Sequence, residues 1–446
     1  MRQVFVFVAA LLMTCAVVTA HADVRFSANL EADIRYYPSQ GLLDEQKQVF
    51  GSLAINPKVD WYADNRQHTI TVELHARDSR PKGNRSYADI REAFYLYAGD
   101  GWQVQAGISR VFWGVVESNH LVDIVNQSDI LESATGTQKL GQPMFSLGLE
   151  RTWGNVDFFI LPYFRERVFP RGPERFRIGL SGINNALPIS PVFSDKEVFY
   201  QSTDEQHHVD VALRWNHYWG GFDMAVSAFS GTSRETLPIL SGFDLSTPAD
   251  PKAIFSAYYQ QMHQLGLELQ YLYDGWAFKY ESASRWQPSG NHHNIVTGLE
   301  YTFSDIAASN VDLGLLVEYL WHNRDAISIE KQSLKALDTV YATDPTIIAV
   351  LKQQRIPSNY LSPFNNDIFL GMRFALNNIH TSYFLAGVIV DADDQTTAAS
   401  FEGRTRLVDN LNMAINIYLF THTSKNSAFY AFRKDDQIEL KLQWYF

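Results

Sequence analysis

The chain has one cysteine in 446 residues, and little else that would staple or anchor it. Cys15 lies in an N-terminal stretch expected to be removed. The mature chain would then hold no thiol, which excludes a disulfide framework and a thiolate zinc site. No later segment approaches ~18 consecutive apolar residues, so a membrane-spanning helix is excluded. There is no basic block. The net charge is −12, or −13 without Arg2, which excludes nucleic acid as a partner. No Pro/Ser linker or shift of composition divides the chain, so residues 23–446 read as one domain. Enzyme motifs are missing too. There is no His-Glu-x-x-His and no glycine-framed serine. His207-His208 and His292-His293 stand at no spacing that builds a triad. Asp391-Ala392-Asp393-Asp394 could offer oxygen ligands to Ca²⁺ or Mg²⁺, but such residues are ordinary turn formers. No enzyme, metal or cofactor is expected.

What is present starts at the N-terminus. Arg2 is followed by an apolar run, Val4 to Met13, and by Ala20-His21-Ala22, a small-x-small cleavage pattern. Residues 1–22 read as a secretory signal peptide. A lipoprotein reading would use Cys15 after Leu12-Met13-Thr14, where Thr is a poor residue.

From Val24 onward the pattern has period two. Val24, Phe26, Ala28, Leu30, Ala32, Ile34 and Tyr36 share one face, and Arg25, Ser27, Asn29, Glu31, Asp33 and Arg35 the other. Similar runs cover Val49–Tyr62, His68–Asp78, Tyr87–Ala98, Trp102–Phe112, Met144–Trp153 and Asn155–Glu166. Others cover His208–His217, Phe222–Gly231, Met262–Tyr273, Gly275–Trp286, His293–Ser304 and Asn310–Asn323. The last are Asp367–Leu376, Ile379–Asp391, Ala398–Leu407, Leu411–Thr421 and Asp435–Phe446. Each is long enough to cross an outer membrane when tilted. Links after even-numbered runs are short and rich in Gly, Asn and Asp, such as Gly99–Gly101 and Asn377-Asn378. Links after odd-numbered runs are longer, above all Trp113–Pro143, Arg167–His207, Thr232–Gln261 and Arg324–Asn366. The pattern predicts an all-β protein, a transmembrane antiparallel up-and-down β-barrel of about eighteen strands with short periplasmic turns and long extracellular loops.

Tryptophan placement agrees. Trp61, Trp102, Trp153, Trp215, Trp219, Trp276 and Trp444 sit at predicted short-turn ends, and Trp113, Trp286 and Trp321 at long-loop ends. With Phe446 they would form girdles at the two membrane interfaces. Within the loops, Ser328 to Arg355 has helical spacing. Arg165 to Arg177 carries five arginines, suited to lipopolysaccharide phosphates or an anionic solute.

Asp89-Ile90-Arg91-Glu92-Ala93-Phe94, a Gly-Asp-Gly turn, and Gln105-Ala106-Gly107-Ile108-Ser109-Arg110-Val111-Phe112-Trp113-Gly114 resemble poorly characterised members of the porin superfamily. So do the hairpin Arg404-Thr405-Arg406-Leu407-Val408-Asp409-Asn410 and the last strand, which ends Trp444-Tyr445-Phe446. The resemblance implies a Gram-negative outer-membrane location, with contact to outer-membrane lipid and lipopolysaccharide. It implies recognition of the C-terminal strand by the barrel-assembly machinery, a small hydrophilic solute, and a homotrimer as one assembly. No plug, hatch, periplasmic domain or passenger is expected beside the barrel. A passive or weakly selective channel is therefore the expected function. The runner-up is a barrel for lipid or hydrophobic-solute transfer with a partner, and an outer-membrane enzyme ranks third.

In general porins the long loop after the fifth strand folds inward. Here it carries Glu117, Asp123, Asp129 and Glu132 against a single Lys139. Arg25, Arg35, Arg77, Arg91, Arg404 and Arg406 have inward parity. The expectation is a constriction with acids on the loop and an opposed basic wall.

Overall fold

The computed structural model describes residues 22–133, 135–177, 190–244, 246–247, 252–328, 355–356, 358, 363–425 and 427–446. The expected signal peptide, apart from Ala22, lies outside these residues. So do the helical turns expected between Ser328 and Arg355.

Eighteen strands form a single sheet. In chain order β1–β6 are Ala22–Tyr36, Val49–Ala63, His68–Arg80, Tyr87–Gly99, Trp102–Ser109 and Gln142–Arg151. β7–β12 are Gly154–Leu161, Asp210–Trp219, Phe222–Thr232, Gln261–Tyr273, Trp276–Trp286 and His292–Phe303. β13–β18 are Asp312–His322, Asp367–Ala375, Tyr383–Asp391, Thr397–Val408, Leu411–Thr421 and Gln437–Tyr445. Each strand pairs antiparallel with the next, and β1 pairs with β18 from Asn29↔Tyr445 to Tyr36↔Ile438. The sheet is therefore a ring with no free edge, which removes the unpaired N–H and C=O groups an open sheet would expose.

Alternation decides which face is which. On β1, Glu31, Asp33 and Arg35 are buried inside, while Leu30 and Ile34 are 39% and 55% exposed outside. On β18, Gln437 and Glu439 are buried and Ile438, Leu440, Leu442 and Trp444 lie outside. A polar lining with an apolar outer skin inverts a water-soluble protein and suits an apolar solvent around the barrel. Trp102, Trp153, Trp276, Trp286, Trp321, Trp444 and Phe446 are exposed near strand ends, and Trp61 is half-buried near one. Trp113 corrects the sequence reading. It is 3% exposed, inside the barrel, with its ring 5.9 Å from that of Phe159.

All eighteen predicted strands are present, but three ends shift for local reasons. β5 stops at Ser109 rather than Phe112 because Asn126 takes over the backbone partners there. Its Nδ2 donates to the Ser109 and Leu140 carbonyls, and its Oδ1 accepts from the Val111 N–H. β7 stops at Leu161 rather than Glu166, since the Phe164 N–H donates to the Gln206 carbonyl at 2.7 Å. β15 begins at Tyr383 rather than Ile379, because Asn378 Oδ1 accepts from the N–H groups of His380 and Ser382 and closes a turn.

Three long links also hold strands that the sequence reading left as loop. Segments Ser190–Tyr200, Leu237–Asp244 and Lys252–Tyr259 form a three-stranded sheet at the long-loop end. A two-residue ladder joins Ile327–Ser328 to Arg355–Ile356. Leu237, Ile239, Leu240, Phe255, Ile327 and Ile356 share one buried cluster there.

The face assignment has a direct test. Leu442→Arg places a charge on the outer skin, at a cost of roughly 2–4 kcal/mol at a bilayer midplane. Lys441 instead points inward, 4.0 Å from Glu31. The Leu442→Arg chain should give far less folded, heat-modifiable barrel on cold gels than Lys441→Ala.

Candidate functional site

Between Ser109 and Gln142 the chain leaves the wall and crosses the inside of the barrel. Its two hinges need glycine. Gly114 has φ +134°, and a Cβ there would lie 2.8 Å from both the Glu281 carboxylate and the His120 ring. A Cβ on Gly141 would lie 2.3 Å from the Arg91 carbonyl oxygen.

The first arm of the loop docks by its backbone. Peptide N–H groups inside a barrel must find acceptors, and three wall glutamates supply them. Glu268 of β10 accepts from Gly114 N–H at 3.2 Å. Glu281 of β11 accepts from Val115, Val116 and Leu121 at 2.7, 3.1 and 2.8 Å. Glu318 of β13 accepts from Glu117 and Ser118, both at 2.8 Å. All three glutamates are almost fully buried. Apolar side chains fill the space around these bonds. Val116 and Leu121 pack with Ala283, Val296 and Leu320, and Val122, Ile124 and Val125 pack with Met144, Phe159 and Phe229.

The second arm docks by charge of the opposite arrangement. Here the loop brings the acids and the wall brings guanidinium groups. Glu132 meets Arg77 of β3 at 2.7 Å, and Asp129 meets Arg91 of β4 at 2.8 Å. Arg35 of β1 donates to the carbonyls of Leu131 and Glu132 at 3.2 and 2.9 Å. Tyr87 donates to Asp129 at 2.7 Å. Behind them Arg77 also reaches Glu31 and Asp33, Arg85 reaches Asp33 at 3.0 Å, and Arg35 reaches Glu439 at 2.7 Å. Burial alone would raise the Glu132 carboxyl. Arg77, His75 and Arg85 outweigh it and hold the group well below the usual carboxylate range. Asp123 goes the other way: burial pushes its carboxyl up, and Lys139 at 3.0 Å offsets only part of that.

In a ring of eighteen strands, β1–β4 and β10–β13 lie on opposite sides. A loop bonded to both bridges the interior. Beside it a cavity of about 670 Å³ stays open, lined by Glu117, Glu402, Arg404, Asn416, Lys441 and Gln443 among others.

The ten sequence candidates separate into groups. Arg35, Arg77, Arg91, Asp129 and Glu132 meet under the second arm. Glu117 pairs with Arg373 of β14 at 2.7 Å, and Asp123 with Lys139 inside the loop. Arg404 lines the open cavity and donates to the Tyr445 hydroxyl at 3.1 Å. Arg25 and Arg406 join neither group. Arg25 is exposed at the short-turn end beside Asp23, and Arg406 bonds the Ile379 carbonyl of a neighbouring turn. Two facing rows across open water are therefore not what Asp129 and Glu132 form; they contact their arginines directly. Sequence reasoning missed Glu268, Glu318, Arg85 and Arg373. Inward parity marks Glu268, Glu318 and Arg373 on the barrel wall, while Arg85 lies in the link between β3 and β4, and nothing in sequence says which of them a loop will meet.

The arginine-rich segment is mostly committed internally. Arg165 pairs with Asp89, Arg175 with buried Asp435, and Arg177 with Glu45.

No family model matches the chain, and no curated protein matches it. Among solved structures, two variants of the porin of Rhodopseudomonas blastica are each 9% identical, with TM-score 0.39, over 95% of this chain and 100% of theirs. A structure described as an engineered protein with asymmetric conductivity is 10% identical, with TM-score 0.39 and the same coverage. At that distance these likenesses add no argument, and the strand order by itself shows a closed antiparallel β-barrel of eighteen strands.

Arg77→Met leaves Glu31, Asp33 and Glu132 short of a partner and should cost roughly 3–5 kcal/mol of folded stability, read as a lower unfolding midpoint in detergent. Arg25→Met should leave the midpoint unchanged. The depressed Glu132 value means its pairing contributes in full above the unfolded Glu value, about 4.3, and fades only as pH falls from there toward the folded value. Limited proteolysis of the loop should therefore be the same at pH 7 and pH 5.

Proposed function

We propose that this porin-like barrel is a channel for passive, weakly selective diffusion of small hydrophilic solutes across the outer membrane of a Gram-negative bacterium. The observation that carries this reading is the charged cavity left beside the inward loop. Ionised groups at that density require water around them, since dry burial of so many would be prohibitive. The loop supplies the constriction, with its acids paired to cations, Glu117 to Arg373 and Glu132 to Arg77, and Arg404 and Lys441 line the open cavity beside them.

The remaining features fit the same reading. Residues 1–22 direct export. The exposed tryptophans and Phe446 form the interfacial girdles against lipid and lipopolysaccharide. The C-terminal strand is read by the assembly machinery, and a homotrimer is the assembly expected for the class. An enzyme is the weaker rival. Ser284 Oγ lies 2.8 Å from His293 Nδ1 on adjacent strands, but among the described residues no carboxylate orients that ring, so the pair lacks the third member of a triad. Transfer of lipid or hydrophobic solutes gains one observation, an apolar cavity at the long-loop end, taken up below.

In planar bilayers the purified chain should give open ohmic steps; silence would favour the rivals. Replacing Glu117, Asp123, Asp129 and Glu132 by their amides removes four negative charges from the constriction, while Arg77 keeps Glu31 and Asp33, Arg91 keeps Asp89 and Arg373 keeps Glu300. The reversal potential should then shift toward anion selectivity. Unchanged selectivity in a folded variant would place the loop outside the conducting path. Liposome swelling with sugars, amino acids and organic acids would then identify the solute.

A further inference from the structure

Above the polar lumen, at the long-loop end, lies a second cavity of about 490 Å³ with a different chemistry. Phe364, Phe369, Ile389, Phe420, Phe429 and Phe432 line it, together with Phe176. The rings form one connected wall. Phe176 lies 5.9 Å from Phe420 and 5.6 Å from Phe432, while Phe429 lies 5.9 Å from Phe420 and 5.7 Å from Phe364. All are half-buried, so part of each ring faces the cavity.

This wall is built rather than incidental. Phe176 has φ +55°, a conformation that a side chain of its kind rarely adopts. It is pinned there because its N–H donates to Asp435 Oδ2 at 2.9 Å, and Asp435 is held by buried Arg175 at 2.7 Å. Backbone held this way at a cavity wall is typical of ligand sites.

The apolar cavity adjoins the lumen across Arg167, Glu235, Ser400 and Tyr418, which line both. Of the two charged groups there, Glu235 already holds the guanidinium groups of Arg285 and Arg324. Among the described residues, no carboxylate lies in ion-pair contact with Arg167, although the nearby Glu235 acts on it through space. Its guanidinium donates only to Gln127 Oε1, at 3.0 and 3.2 Å, and to the Arg234 carbonyl at 3.1 Å. The nearby Arg234 is itself matched by Asp210 at 2.6 Å. Among the described residues, a guanidinium with no carboxylate in direct contact thus stands where an aromatic pocket opens into a charged lumen.

We infer that this vestibule binds small amphipathic carboxylates, with an aromatic body against the phenylalanine wall and the carboxylate on Arg167. The apolar part is favoured by leaving water and the anion by a charge-assisted bond. A neutral sugar fits less well, because the wall offers rings but few polar partners. A lipid acyl chain would fill the wall and leave Arg167 unanswered. The site deepens the channel reading and rests on it for the direction of transport: solute would be concentrated at the outer mouth before entering the lumen.

The test uses 4-phenylbutyrate, its uncharged amide, butyrate and maltose. Binding is measured by calorimetry on the full mature chain in lipid nanodiscs, and current block is measured in planar bilayers with solute added to either side. 4-Phenylbutyrate should bind, and should block from the long-loop side at lower concentration than from the other. The amide and butyrate should each bind about tenfold more weakly or worse, and maltose not at all. Arg167→Gln should weaken 4-phenylbutyrate by about ten- to a hundredfold and remove its advantage over the amide. Phe420→Ala with Phe432→Ala should remove its advantage over butyrate. Each variant is checked for heat-modifiable folding, and failure of one to fold leaves the other and the four-solute ranking to decide. Equal affinity for 4-phenylbutyrate and butyrate, tighter binding of maltose, or unchanged affinity in both folded variants would overturn the inference. A barrel that binds 4-phenylbutyrate but conducts nothing would refute the channel and leave the site standing. A conducting barrel that fails to bind it would do the reverse.

Discussion

A peptide chain can cross the inside of a barrel only if its N–H groups are answered there. Glu281 answers three of them and Glu318 two, from strands that would otherwise present isolated buried carboxylates. Each side solves the other's problem: the loop needs acceptors, and the buried carboxylates need donors. The rest of the interior follows from that bargain. With the first arm fixed on β11 and β13, the second arm is delivered to β1, β3 and β4, where arginines wait for its acids. The open cavity is what remains.

Much of the fold could be read from sequence because a barrel wall is a local pattern. Side chains at β1 and β18 alternate strictly, so Ile34 and Glu439 declare their faces without any knowledge of neighbours. Turn chemistry is local as well, as Asn378 shows when it ends a turn four residues later than the apolar pattern alone implies. The strand ends that slipped did so where a distant residue captured the backbone, as Asn126 does beyond Ser109. Trp113 was misplaced for the same reason. Its position beside a predicted strand end suggested an interface, but the hinge at Gly114 turns it inward onto Phe159.

The interior was legible only in part. Parity identified Arg35, Arg77 and Arg91 as inward, and composition marked the loop as acidic. The pairing Arg77–Glu132 spans 55 positions along the chain, and no periodic signal carries information over that distance. Arg25 and Arg406 have the correct parity and the wrong depth, since they lie near the short-turn end. Period two reports which face a residue occupies and says nothing of its height. The aromatic vestibule was invisible for a further reason: its wall is assembled from strand ends, a loop turn and the short 3-10 helix Ala428–Phe432, which share no pattern.

The seam between β1 and β18 has a consequence of its own. Ala28 and Phe446 exchange backbone hydrogen bonds, so the two ends of the described barrel are adjacent rungs of one ladder. A ring has no intrinsic first strand. The order in which the strands are threaded is a property of the gene, and a chain opened at the Gly220-Gly221 turn and joined across the seam would encode the same ring. It would meet a different closure, because the pairing spanning the longest stretch of chain, and hence the largest loss of chain entropy, would then fall between β8 and β9.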